Sequence, residues 1–266
     1  MDVEHAKRVG IAAAYNGAKV LTAHFGNISQ IGRKGAFDLV TEADTESEKQ
    51  IIKTIREAFP DHAILAEESG TGKENSEYQW IIDPLDGTTN YAHQLPIFTI
   101  AIALALDDKI VFGLVLNPMD GELFSALAGK GAELNGKSVK TSSTASVHDS
   151  LLATGFPYNF GEIIEPAMKR FRVCQDASQG VRRLGSAALD ICYVACGRFD
   201  GFWEQNLKLW DMAAGAIIAA EAGAVVTDFS NQPFSINQKE ILVTNGKIHQ
   251  EMLSLLEIEN QNPSQK

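Results

Sequence analysis

Trp80-Ile81-Ile82-Asp83-Pro84-Leu85-Asp86-Gly87-Thr88-Thr89-Asn90 is an apolar strand that runs straight into a turn bearing two aspartates three residues apart. Pro84 fixes one backbone torsion between them. Gly87 lets the chain bend and approach a ligand closely. Thr88 and Thr89 then start a helix whose free N–H groups can face an anion. One short turn thus offers carboxylates for hard cations and amides for a phosphate. The same composition also suits an ordinary strand end, where Asp, Pro and Gly are common, so the neighbouring segments must decide.

Upstream, Glu67-Glu68-Ser69 follows another short strand; paired acids there are either solvated or part of a cation site. Asp44 precedes a helix, where an acid satisfies the helix dipole. Trp210-Asp211-Met212-Ala213-Ala214-Gly215 opens an apolar helix. Asp211 can serve as its N-cap, and the small residues let that helix end sit against another backbone. Gly185-Ser186-Ala187-Ala188 makes a similar opening, preceded by Arg182 and Arg183, which suit a surface or a phosphate.

The periodicity predicts helices over residues 3–23 and 45–59, the second closed by Pro60 and Asp61. Strands are predicted over 63–66, 80–82, 98–106, 110–117 and 122–126, with Asp107-Asp108 in a hairpin turn. Further along, 187–195 and 212–222 read as helices and 199–204 and 224–228 as extended, with Gly223 ending a helix. Asn135-Gly136 marks a tight turn. A soft boundary follows in the polar stretch 137–147, dividing the chain into residues 1–140 and 141–266. The tail from 259 is polar.

The 266 residues are 45% hydrophobic, enough for a sizeable core. The net charge of −11 disfavours nonspecific nucleic-acid binding. The longest apolar run, 97–106, is about half of a membrane span, and the N-terminus shows no signal peptide, so a cytoplasmic protein is expected. Cys174, Cys192 and Cys196 do not form a disulfide framework and read as buried packing residues. His62 and His93 stand singly, so zinc is disfavoured.

Taken in chain order, these segments resemble the signature set of the inositol monophosphatase family. Asp-Pro-x-Asp-Gly-Thr-Thr-Asn is matched in full at 83–90, and Trp-Asp-x-Ala-x-Gly at 210–215. Lys34 with Asp38-Leu39-Val40-Thr41, Glu67-Glu68-Ser69 and Gly185-Ser186-Ala187-Ala188 extend the likeness over nearly the whole chain. Residues 153–157 and 182–204 are most like its bacterial branch.

The resemblance implies an α/β fold, a five-layer αβαβα sandwich, usually a homodimer. It implies two or three Mg2+ ions held by the side chains of Glu67, Asp83, Asp86 and Asp211 and the carbonyl of Leu85. Residues 1–140 would carry most of these ligands, and 141–266 the last ligand and the substrate pocket. Thr88 would orient and help deprotonate the attacking water, with Asp44 as partner and Glu67 assisting. Hydrolysis would be direct and in line, without a phosphoenzyme. The amides of Gly87 and Thr88 would hold the phosphate, Glu204 a substrate hydroxyl, and Gly185, Ser186 and Ala187 would line the polyol pocket. Lys34, in the loop 32–36, would organise a further metal.

The electrostatics agree with this ligand set. Two carboxylates about 4 Å apart repel by roughly 4 kcal/mol at an effective dielectric near 20, and divalent ions reverse the sign of such a site. The implied activity is Mg2+-dependent, lithium-sensitive hydrolysis of myo-inositol monophosphate or a similar small polyol or sugar phosphate. Relatives with the same motifs act on fructose 1,6-bisphosphate, histidinol phosphate, NADP or adenosine 3′,5′-bisphosphate. The absence of a basic cluster beyond Arg182-Arg183 favours a monophosphate. A partner-binding regulatory role is the alternative of a different class.

Overall fold

The structure, a computed structural model, describes residues 2–27, 31–33, 39–72, 76–156 and 164–257. The first half contains α1 (Val3–His24), β1 (Ile31–Arg33), β2 (Leu39–Thr41), α2 (Glu42–Ala58), β3 (Ala63–Ala66), β4 (Gly70–Gly72), β5 (Tyr78–Asp86), α3 (Thr88–Ala92), β6 (Thr99–Leu106), β7 (Lys109–Asn117), β8 (Glu122–Leu127), β9 (Ala132–Leu134) and β10 (Lys137–Val139). The second contains β11 (Leu151–Thr154), α4 (Ile164–Ala177), β12 (Gly180–Arg182), α5 (Ala187–Ala195), β13 (Gly201–Gln205), α6 (Leu209–Glu221), β14 (Val225–Thr227), β15 (Glu240–Thr244) and α7 (His249–Leu256).

An eight-stranded sheet has the order β10-β9-β8-β7-β6-β5-β3-β4, a five-stranded sheet the order β12-β11-β13-β15-β14, and β1 pairs with β2. The larger sheet is antiparallel except where β3 runs parallel to β5. Parallel pairing brings the C-terminal ends of β3 and β5 side by side, and these ends carry Glu67 and Asp83–Asp86.

Strand alternation builds the layers. On β6, Ile100, Ile102 and Leu104 face one core together with α1 and α2. Ala101, Ala103 and Ala105 face the other way, into a core shared with α5, α6 and the second sheet. On β13 and β15, Phe202, Ile241 and Val243 belong to this central core, while Trp203 and Leu242 join α4 and α7 on the far side. The result is five layers, α1/α2, sheet, α5/α6, sheet, α4/α7, as expected.

The alanines of β6 are small because α6 lies close. A methyl added at Gly113 of β7 would fall 2.7 Å from the Ala214 carbonyl oxygen and 2.5 Å from Ile217 Cγ2. The close backbone approach expected for Ala213-Ala214-Gly215 is therefore present, and it fixes the height of Asp211 above the sheet.

Several boundaries differ from the sequence reading. The second helix starts at Glu42, three residues early, because Thr41 caps it. The strand read as 80–82 runs from Tyr78 to Asp86 and so includes the aspartates. Helices α4 and α7 and strands β11, β12 and β15 carried no recognised signal. The two-residue turns are where expected: Asp107 and Asp108 have φ of 46° and 63°, Asn135 and Gly136 51° and 74°, the left-handed pair that matches strand twist. Cys174 and Cys192 are buried and Cys196 partly so, all as free thiols.

Candidate active site

Between Asp83 and Asp86 the pairing of β5 with β6 slips: Asp83 faces Ala101 and Asp86 faces Thr99. This bulge re-aims the strand end. The Leu85 N–H donates to Asp83 Oδ1 at 2.9 Å, and Ser47 Oγ donates to the Pro84 carbonyl at 3.2 Å. Gly87 follows with φ of +99°. A methyl there would lie 3.0 Å from the Ile97 carbonyl oxygen and 3.1 Å from that of Gly185. The glycine is required on both counts. Asn90 completes the junction: its amide nitrogen donates to the carbonyls of Ile97 and Leu184, both at 2.8 Å. The motif's last residue thus ties β5 to the segment before α5, a role the sequence reading did not assign.

Three helix N-termini meet this turn, each with an aspartate attached. Asp44 is the third residue of α2 and is 1% exposed. Its Oδ2 accepts from the N–H (2.9 Å) and the hydroxyl of Thr41, while its Oδ1 accepts from Thr88 Oγ at 3.2 Å. One carboxylate therefore both caps its helix and reaches the turn. Asp211 is the third residue of α6, not its N-cap as the sequence suggested; its Oδ2 accepts from the Lys208 N–H at 2.7 Å. Asp86 reaches across to α5, where its Oδ2 accepts from Ser186 Oγ at 2.6 Å and the Ala188 N–H at 2.8 Å. In Asp83, Asp86 and Asp211 a fixed donor grips one oxygen and so orients the other, as partners of metal ligands commonly do.

Thr88 is the first residue of α3, whose N-cap is Gly87. Its hydroxyl has one proton and two acceptors, Asp44 Oδ1 at 3.2 Å and the Leu85 carbonyl at 3.1 Å. Glu67 directly follows β3, the strand beside β5, its N–H donating to the Ile82 carbonyl at 3.2 Å. Asp86, Asp211 and Ser186 line a cleft open to solvent, with Glu204, Arg183 and Asp190. Glu204, 8% exposed, packs where any side chain at Gly155 would collide with it: a methyl there would sit 2.0 Å from Oε2. Asp190, an acid in the apolar helix α5, is buried, and its Oδ1 has no partner among the described residues. Its place between Leu189 and Ile191 was a legible anomaly that the sequence reading passed over.

Burial is the leading cause of the acids' behaviour. It raises Asp44 to about 6, against the opposing bonds from Thr41 and with help from the charge of Glu67. It raises Asp86 to about 6 despite the donors Ser186 and Ala188. It raises Glu204 to about 8, with Asp86 adding and Arg183 subtracting. Asp83 and Asp211 stand well above the carboxylate range; after burial, the charges of Glu67, Asp86 and Asp211 act on Asp83, and Asp86 acts on Asp211. The charge of Glu67 thus acts on Asp83, Asp86 and Asp211 alike. Among the described residues no three histidine, cysteine or acidic side chains are grouped tightly enough to close round an ion as they stand. Lys34 lies outside the described residues; of the loop 32–36 only Gly32 and Arg33 are described, at the end of β1.

The arrangement sets a cluster of buried acids beside a polar cleft, a site of the hydrolase type. Residues 2–261 match the Inositol monophosphatase family. The chain is 47% identical over 87% of its length to the inositol-1-monophosphatase of Synechocystis sp., covering 82% of that protein. It is 39% identical to the Nus factor SuhB of Pseudomonas aeruginosa, over 87% of each chain. The structure of an inositol monophosphatase from Anabaena (Nostoc) sp. superposes with a TM-score of 0.88 at 40% identity, covering 96% of each chain. The protein belongs to the Inositol monophosphatase family. No helix among the described residues is long and apolar enough to cross a membrane.

Proposed function

We propose that the protein is a Mg2+-dependent phosphomonoesterase that hydrolyses myo-inositol monophosphate or a similar small polyol phosphate to the free alcohol and phosphate. The observation that carries this reading is the junction of Asp86 with Ser186 and Ala188. It sets the acidic turn of the first sheet against the cleft formed by the second half of the chain. The donors fit Mg2+, which prefers hard oxygen ligands: the carboxylates of Glu67, Asp83, Asp86 and Asp211 and the carbonyl of Leu85 would hold two or three ions. Bound there, the ions would supply positive charge for the phosphate and the leaving oxygen and acidify water.

The chain's own residues divide the remaining work. Thr88, held by Asp44, orients the attacking water and passes on its proton, with Glu67 assisting. The amides of Gly87 and Thr88 receive phosphate oxygens. Glu204, in the space left by Gly155, accepts from a substrate hydroxyl, and Gly185, Ser186 and Ala187 line the cleft. The same reading takes the protein as a cytoplasmic homodimer inhibited by lithium.

The test is phosphate release from inositol 1-phosphate, fructose 1,6-bisphosphate, histidinol phosphate and NADP. Inositol 1-phosphate is expected to give the highest kcat/KM; a clear preference for another member moves the substrate and keeps the chemistry. Glu204→Gln is expected to raise KM for the polyol phosphate about 10-fold, the loss of one hydrogen bond to a charged group, with little change for a simple aryl phosphate. An equal loss on both would remove Glu204 from substrate recognition. A regulatory reading is favoured by the relatives named Nus factor SuhB; it predicts that variants without turnover keep the biological role.

A further inference from the structure

Helix α2 makes a contact with the site that neither the motifs nor the reaction assigns. Glu48 is 3% exposed. Its two carboxylate oxygens each accept from one of two consecutive backbone N–H groups: Oε2 from Glu68 at 2.8 Å and Oε1 from Ser69 at 2.9 Å. These N–H groups immediately follow Glu67. One turn earlier on the same helix Asp44 accepts from Thr88, and Ser47, next to Glu48, donates to the Pro84 carbonyl between Asp83 and Leu85. Three side chains of one helix thus touch both segments of the first half, 67–69 and 83–88, that bear the proposed ligands and Thr88. The helix is itself closely seated against α1. A methyl at Gly17 would lie 2.8 Å from Ser47 Oγ and 2.9 Å from the side chain of Ile51.

We propose that Glu48 is a positioning residue for metal binding: by clasping the 68–69 backbone it fixes the direction in which Glu67 leaves the end of β3. The inference rests on the reading of Glu67 as a Mg2+ ligand. A neutral side chain cannot reproduce the clasp. Gln offers one acceptor and sets an NH2 group against the other N–H, whereas the carboxylate accepts from both. Asp keeps both acceptors on a stem one methylene shorter and reaches the pair poorly. Partners that orient ligands in this way typically change metal affinity by about 10–100-fold when removed.

The experiment is calorimetric titration of Mg2+ into the metal-free full-length protein, beside the melting temperature and the Mg2+ dependence of turnover. Glu48→Gln is expected to weaken Mg2+ binding about 10-fold and to raise the Mg2+ concentration for half-maximal turnover in parallel. Its kcat at saturating Mg2+ should recover to within a few-fold of the parent. Glu48→Asp should fall between the two, and carries the test if Glu48→Gln does not fold. A merely structural Glu48 would lower the melting temperature and leave Mg2+ affinity unchanged, and that result in either folded variant overturns the proposal. If the parent protein itself binds no Mg2+, it is the reading of the site that fails.

Discussion

Asp211→Asn should yield a folded protein whose turnover falls about 1,000-fold, a loss of about 4 kcal/mol of transition-state stabilisation. The amide keeps an oxygen for the Lys208 N–H, so the start of α6 survives. What disappears is one of the charges that the proposed cations need. The same change should leave the metal-free protein at least as stable as the parent at pH 8, because it removes one of several mutually repelling buried acids.

The pH dependence of the metal-free parent follows from the same shifts. Asp44 and Asp86 at about 6 and Glu204 at about 8 hold protons that the unfolded chain releases near pH 4. Between those values the folded state binds more protons, so stability falls as pH rises from about 4 to 8. Melting curves at pH 5, 6.5 and 8 should show this decline, and it should be shallower in Asp211→Asn. A melting temperature that rises over this range would refute the electrostatic description.

Thr88→Ala is expected to lower kcat about 100-fold, the lower end of what a positioned proton-transfer group contributes, while Mg2+ binding stays nearly intact. Thr88→Ser keeps the hydroxyl and should retain most of the activity. A capping role for the side chain predicts the opposite pattern, about 1 kcal/mol of stability lost and turnover kept. The geometry speaks against capping: the cap is Gly87, and the hydroxyl points to Asp44 and the Leu85 carbonyl. Hydrolysis in isotopically labelled water should place one solvent oxygen in the released phosphate, with inversion at phosphorus. A normal turnover rate with reduced stability would assign Thr88 to structure alone.

The parts of the fold that were legible were those whose local chemistry is strong. The apolar run 98–106 was legible as a strand, and Asp107-Asp108 and Asn135-Gly136 as tight turns through residues that tolerate positive φ; that the strand's two faces serve two cores was not. Helix α4 was not legible. It packs only Ala167 and Cys174 fully, presents mostly charged residues, and has Pro166 in its first turn, where proline is tolerated.

The motifs supplied the site's residue types, and long-range partners decided what each does. Asp44 was read as either a helix-terminal acid or a reacting group; its two oxygens are divided between Thr41 and Thr88. Asp86 and Ser186 are 100 positions apart, and no spacing rule links them. Glu48 carries no signal in the sequence beyond being a polar residue of the second helix. Only the tertiary fold sets its carboxylate against the 68–69 backbone.

On the proposed reading this acidic turn holds divalent cations for phosphate-ester hydrolysis. Its most direct test is phosphate release from inositol 1-phosphate by chelator-treated protein, measured again after Mg2+ is returned. No turnover is expected in excess chelator, full recovery with Mg2+, and weak or inhibitory behaviour with Ca2+, which demands less strict octahedral geometry. Undiminished turnover in excess chelator would contradict it.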